Sequence, residues 1–403
     1  MRSGALIKSN NLPVQMYSVI VAILPLLATY ASGIPGLTVA DVALAVCVVM
    51  TLVGGYSKQN RFVLRPTLIV LALYMIVLFG LVTVTTQEEP EIGNIVVRVI
   101  RYFFYLAVIA ISSVRMLDLR ICKQMVRLVA ILGTVYILLQ YLLYYLFGYV
   151  LRGFLPFLDL YVEGYAVQDY GKVYSTMMYR PTSFFLEPAH FARYAVIGLA
   201  LYLFDDRHIS LKQILGATFV SGGILLSTSA QGYLLMAVVW GGFLVHRIRD
   251  IRVRWVRNAF YLLIPFLPLL LMMILQIPFV QTAVERALNI DIASENTALG
   301  ARTGGFLFFF ELPPLYKLIG MGFGVVPEGV WVSSAVYWLY GAGIFVFLLY
   351  CLYGLRCLLR VGGSARYILL VFLLLFITDD SFYSYMCVLF VSLSLLKPVE
   401  VDG

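Results

Sequence analysis

Apolar residues come in blocks along this chain that are too long and too numerous for the core of a soluble domain. A helix rises about 1.5 Å per residue, so roughly 20 apolar residues match the hydrocarbon slab of a bilayer, about 30 Å thick. Twelve segments fit, some of them short: 16–33, 37–54, 66–86, 93–113, 125–148, 188–204, 211–227, 231–246, 258–276, 331–352, 366–378 and 381–396. Asp379 and Asp380 interrupt the last pair, which reads as two short spans or as a re-entrant hairpin. With 62% hydrophobic and 12% charged residues among 403, and a mean hydropathy of +0.93, the chain is expected to use lipid as its solvent. The expected fold is an all-α polytopic membrane protein, one integral domain over 1–403 with about twelve transmembrane helices. No soluble domain and no internal repeat is read.

Lys and Arg fall in every second connection: Lys58, Arg61 and Arg65; Arg115, Arg120, Lys123 and Arg127; Arg207 and Lys212; Arg247, Arg249, Arg252, Arg254 and Arg257; Arg356, Arg360 and Arg366. Cationic loops resist export, so these connections and both termini are expected in the cytoplasm. The intervening loops hold most of the acids, among them Glu88, Glu89, Glu91, Asp159, Glu163, Asp169, Glu285, Asp291 and Glu295, and are expected to face outward.

The net charge of +8 does not argue for nucleic acid, because the basic residues are spread over short turns and not gathered on one domain. HRIRDIRVRWVR reads as a positive-inside anchor on anionic membrane lipid. Cys47, Cys122, Cys351, Cys357 and Cys387 fall in spans or at the cytoplasmic face, so neither a disulfide framework nor a metal cluster is implied. The acids show no ligand spacing, and no metal and no cofactor is expected. The first span follows a short polar arm with no cleavage site, so no cleavable signal is expected.

Most connections are short, but two outward ones, 149–187 and 277–330, are long and rich in aromatics, Gly and Pro. Long loops of this composition in a compact protein are functional ones. They are expected to fold against each other over the outer mouth.

The first of these loops runs into RPTSFFLEPAHFARY, from Arg180 to Tyr194. Thr182 or Ser183 is suited to cap the helix that follows, Glu187 to its first turn, and Pro188 to a position where a missing N–H costs nothing. Glu187, His190 and Tyr194 then share one face at helical spacing, with Arg193 on a neighbouring face inside the apolar segment. An Arg at that depth is costly unless it is paired or lines a watery cavity. Two uses stay open: Glu187 and Arg193 neutralise charges on nearby helices, or they belong to a site for an anionic ligand. The second is favoured because more cations converge. Arg98 and Arg101 share a face of the fourth span, where they snorkel or line a cavity. The second loop supplies Arg302 in GARTGGFLFFFELPP, followed by GMGFG at 320–324, which by itself reads as a turn. Ser227, Thr228, Ser229 and Gln231 read as the polar cap of a hairpin between the seventh and eighth spans.

Several arginines with one carboxylate, open to the outer face, suit a diphosphate held by cations while a base activates a hydroxyl. That is the chemistry of glycosyl transfer from a lipid diphosphate, and the loop Tyr and Trp residues suit sugar faces. RPTSFFLEPAHFARY, STSAQGYLLM, and RTGGFLFFF leading into GMGFG resemble the three recurring patches of O-antigen and capsular or exopolysaccharide polymerases of the Wzy type, in that family's order. The architecture of twelve spans with two large outward loops is similar too. The resemblance implies a class C-like glycosyltransferase of the bacterial cytoplasmic membrane. Such an enzyme transfers a growing glycan from undecaprenyl diphosphate to the next lipid-linked repeat unit on the outer face, without a nucleotide sugar. It implies undecaprenyl-diphosphate-linked oligosaccharide as substrate, and a chain-length regulator and a flippase as partners. On that basis Arg180, Arg193 and Arg302 are expected to hold the donor diphosphate, with Arg98 and Arg101 behind them. Glu187 is expected to act as base or to orient the acceptor, assisted by His190.

The chain departs from the family in one respect. Some members carry, in each large loop, an Arg with a Gly eleven positions on; here Arg152 is followed by Glu163 and Arg302 by Pro313. The related O-antigen ligases use a His in the late outward loop, whereas His190, His208 and His246 all lie elsewhere, which favours polymerase over ligase. A lipid-linked oligosaccharide flippase or another transporter is the rival from a different class. Within the enzyme class, a relative of the SEDS peptidoglycan polymerases is the other alternative, though ten spans suit that family better.

Overall fold

The computed structural model describes residues 12–34, 36–54, 100–101, 104–105, 108, 117–155, 157–161, 179–206, 208–263, 276, 306, 309–322, 333–379 and 385–395. Among these the regular structure is helical: α1 (Leu12–Leu27), α2 (Val39–Gly54), α3 (Leu119–Phe147), α4 (Pro188–Phe204), α5 (Leu211–Leu226), α6 (Ala230–His246), α7 (Arg254–Leu263), α8 (Pro314–Ile319), α9 (Ser334–Arg360), α10 (Ser364–Thr378) and α11 (Met386–Leu395). Two of them, α3 and α9, are long and apolar enough to cross a membrane, and seven more are apolar helices of 10–17 residues. The segments expected near 66–86 and over most of 93–113 and 258–276, with Arg98, Arg302, Asp380 and most of both outward loops, lie outside the described residues.

Helix α4 is the axis. All but three of its residues are buried, and α3, α5, α6 and α10 pack around it. A helix hydrophobic on every side needs such a position. Cross-links at its two ends give the directions of its neighbours. At the Asp205 end, Lys123 and Arg127 of α3 pair with Asp205, which caps α4, and the Ser364 hydroxyl at the start of α10 donates to the same carboxylate. At the Glu187 end, Arg193 of α4 pairs with Asp379, the residue that caps α10. Helices α3 and α10 therefore run against α4. Tyr141 of α3 donates to Leu226 O at the end of α5, so α5 runs with α3, while Gln231 at the start of α6 meets Thr378 at the end of α10, so α6 runs with α4. The Ser334 N–H at the start of α9 donates to Asp379 O at 2.8 Å, so α9 descends beside α10.

Local signals explain most boundaries. Asp118 caps α3 by accepting the N–H groups of Arg120 and Ile121, and Gly148 closes it at φ 64° with a bond back to Tyr144 O. Ser210 and Gln213 form a capping box on α5, and Ser229 caps α6. At α4 the structure differs from expectation. Glu187 occupies the cap position with no side-chain cap bond, and Pro188 follows as the first helical residue. Ser183 sits at φ 57° with its hydroxyl turned to Gly133 O at 2.9 Å, and so does not cap α4.

Helix α9 is broken at Gly343, where φ is 76° and ψ 176°. The break removes intrahelical partners from nearby carbonyls. Tyr340 O and Gly341 O instead accept the N–H groups of Met321 and Gly322, at 2.6 and 3.1 Å, so this apolar stretch keeps its backbone satisfied. The close approach requires glycine on both sides: a Cβ on Gly343 would lie 2.1 Å from Leu318 O, and one on Gly320 2.3 Å from Gly341 O. The described part of GMGFG, 320–322, is irregular backbone that packs against the helix break.

Candidate functional site

The Glu187 end of α4 gathers polar residues from several elements. Arg193 Nη1 lies 2.6 Å from Asp379 Oδ1, and both side chains are 7% exposed. One turn nearer the helix start, Glu187 Oε2 and His190 Nε2 are 3.9 Å apart at 33% and 29% exposure. The difference in exposure orders the cluster: Glu187 and His190 are reachable from outside, and the Arg193–Asp379 pair forms the floor beneath them. His190 also lies within electrostatic range of Arg193 and Asp379, so the four groups form one charge system.

Arg180 reaches the same end from the preceding loop. Its Nε donates to Thr228 Oγ1 at 3.0 Å, in the turn between α5 and α6 where Thr228 adopts φ 54°. A β-branched residue is strained in that left-handed conformation. Gln231, one turn on, donates from Nε2 to Thr378 Oγ1 at 2.9 Å, next to Asp379. The Ser227–Gln231 cap is therefore part of the cluster as well as a hairpin, which the sequence reading did not anticipate.

The loop that carries Arg180 is anchored from below by Gln140 of α3, a residue 1% exposed. Its Nε2 donates to Leu151 O, and its Oε1 accepts the Ser183 N–H, both at 2.9 Å. One side chain thus ties the outgoing limb of the loop to the returning limb. The limbs also touch directly, since a Cβ on Gly153 would lie 2.0 Å from Ser183 O. Phe185, Phe191 and Tyr194 pack as a ring cluster under the loop, and the Tyr194 hydroxyl donates to Ala22 O at 2.8 Å. Tyr194 is thus a buried strut and not a partner of Glu187 and His190. Beside Arg180, Tyr144 stacks on Tyr179 at 4.2 Å between ring centroids. Burial pushes the Tyr179 phenol above its ordinary value, so it stays neutral.

Arg101 takes a different set of partners. It bonds Asp41 Oδ2 at 2.8 Å, Gly36 O at 2.6 Å and Tyr161 OH at 3.1 Å, and Tyr105 donates to the other Asp41 oxygen. Thr38 and Asp41 also exchange hydrogen bonds at the start of α2. This arrangement holds the outgoing limb to α1 and α2, where Ala31 N–H donates to Asp159 O and Tyr161 N–H to Thr29 O. Asp379, read from sequence as one of two acids interrupting the last pair of spans, proves to be the partner of Arg193. A charge set in an apolar stretch of sequence was the signal available for it. No three His, Cys, Asp or Glu residues come together in metal-binding geometry among the described residues.

No family model matches the chain, and no curated protein matches it either.

Proposed function

We propose that this chain is a polytopic membrane glycosyltransferase, a Wzy-type polysaccharide polymerase that joins undecaprenyl-diphosphate-linked repeat units at the outer face of a bacterial cytoplasmic membrane. The observation that carries this reading is the graded cluster at the start of α4. Reachable Glu187 and His190 stand over a buried Arg193–Asp379 pair, with Arg180 alongside.

Helix directions support twelve crossings. Helix α2 runs against α1, towards the Asp205 end, and α3 starts from that end, so an even number of crossings fits between them, as the spans near 66–86 and 93–113 supply. Helix α6 finishes at the Asp205 end, where Arg247 bonds Asp206 O, and α9 starts at the other. One crossing fits there, as the span near 258–276 supplies. The Asp205 end carries the cations expected to face the cytoplasm, so the cluster faces outward.

In the reaction, a hydroxyl of the incoming unit attacks the anomeric carbon of the growing chain, and the bond from that carbon to the diphosphate breaks. Glu187 takes the hydroxyl proton, with His190 beside it as relay. The departing undecaprenyl diphosphate leaves with its charge neutralised by Arg180; Arg302 and Arg98, expected from sequence to share that role, lie outside the described residues. Arg193 and Asp379, already bonded to each other, act as a fixed dipole under the site, needing no reorganisation during reaction. Arg101 positions the loop.

The broken helix α9 is the observation that favours a transporter, since discontinuous helices line the sites of many such proteins. Here the carbonyls at the break are taken by the chain's own Met321 and Gly322 N–H groups, which favours a structural role for the break. In host cells lacking this chain, single repeat units should accumulate on the outer leaflet and long polymer should vanish. Accumulation on the inner leaflet would instead mark a flippase.

A further inference from the structure

Gln231 sits in the first turn of α6, 8% exposed. Its Nε2 donates to Thr378 Oγ1, and the Thr378 hydroxyl itself donates to Leu374 O at 3.1 Å. A hydroxyl has one proton. With that proton committed to Leu374, Thr378 can only accept from Gln231, which orients the amide with nitrogen towards Thr378 and oxygen away. The oxygen so placed, Gln231 Oε1, is buried and has no hydrogen-bond partner among the described residues. Buried acceptors are rarely left in that condition, so this one calls for a donor beyond the described residues.

Its surroundings are those of the candidate site. Thr378 precedes Asp379, the partner of Arg193. Gly232 packs so tightly on α4 that a Cβ there would lie 2.6 Å from the Ala192 Cβ. Thr228, in the turn just before α6, binds Arg180. A diphosphate presents acceptor oxygens and has nothing to offer another acceptor. A sugar hydroxyl donates.

We propose that Gln231 is a specificity-determining residue that accepts a hydrogen bond from a hydroxyl of the sugar adjoining the diphosphate. This rests on the polymerase reading of the same site and adds to it a division of labour: cations for the lipid diphosphate, Gln231 for the carbohydrate. A site that hydrogen-bonds a substrate hydroxyl rejects ligands lacking it, because the protein acceptor is then left unpaired.

The test compares two probes on purified protein in detergent: undecaprenyl diphosphate with no sugar, and the undecaprenyl-diphosphate-linked repeat unit extracted from the host cell. Gln231→Leu should bind the bare carrier as the wild type does and the glycosylated lipid about tenfold more weakly, or about 1.4 kcal/mol. Equal loss on both probes, or loss on neither, would overturn the assignment, since a purely structural glutamine or one satisfied by water does not sense the sugar. If Gln231→Leu fails to give a monodisperse protein, Gln231→Met, similar in length and unbranched, carries the same comparison. A wild-type protein that neither prefers the glycosylated lipid nor polymerises it sinks the parent reading. One that polymerises while the Gln231 variants keep full sugar preference sinks this inference alone.

Discussion

Arg193 of α4 and Asp379 at the end of α10 meet at 2.6 Å with almost no exposure, and the Asp379 carbonyl also receives the first N–H of α9. Three helices are thus pinned at one point beneath the candidate site.

Removing one member of a buried pair strands the other, at a cost of about 3–5 kcal/mol. Asp379→Asn and Arg193→Met should each lower the thermal unfolding midpoint and membrane abundance. The double variant Arg193→Met with Asp379→Leu should recover abundance, because apolar side chains then replace the buried ion pair. If the pair serves the site, the double variant stays inactive at normal abundance. Recovered activity would reduce the pair to a structural role.

Gln140→Leu should loosen the loop that carries Arg180 without unfolding the helices. The substitution leaves Leu151 O and Ser183 N–H without their side-chain partner, at about 1–3 kcal/mol for each buried group. Limited proteolysis should cut within 149–187 faster than in the wild type, with the other cleavage sites unchanged. Equal cleavage throughout would show that the limbs hold without Gln140.

Gly343→Ala should collapse the yield of folded protein. Its positive φ disfavours a side chain, and the added carbon would strike Leu318 O. Gly222→Ala is the contrast: nothing lies within 4 Å of its added carbon, so in mid-helix it should be neutral or stabilise by about 0.5–1 kcal/mol. Similar behaviour of the two variants in a detergent melting series would contradict the packing described at the α9 break.

Asp205→Ala separates the two ends of α4. It leaves Lys123 and Arg127 without their shared carboxylate and should lower abundance. Asp205 lies twelve residues beyond Arg193, about 18 Å along the axis, so turnover per folded molecule should be unchanged. A fall in turnover at equal folded protein would couple the two ends.

Among the described residues, helix positions were largely legible, because apolar run length and end signals are local properties. The expected span 188–204 coincides with α4, where Pro188 marks the start, and 231–246 with α6, where Ser229 caps it. Helix α3 begins at Leu119, earlier than the expected 125. Lys123 and Arg127 looked like the polar margin of a span, whereas they lie on the helix with their charge taken up by Asp205. What sequence could not supply was pairing over distance. Arg193 and Asp379 were each visible as charges in apolar surroundings, but nothing local says that α4 and α10 bring them together. Thr228 and Gln231 read as a hairpin cap because their partners, Arg180 and Thr378, come from other elements. Ser183 failed as a cap because its hydroxyl found Gly133 on a packed neighbour, a competition that local propensity does not register.

The most direct measurement is reconstitution of the purified protein in proteoliposomes with the lipid-diphosphate repeat unit and no nucleotide sugar, with products resolved on a gel. A polymerase gives a ladder, which should disappear in Glu187→Gln and Arg302→Ala while substrate binding to the membrane persists. Absence of a ladder from the wild type, with the repeat unit carried intact to the opposite leaflet, would contradict the polymerase reading and make the charged cluster part of a conduit.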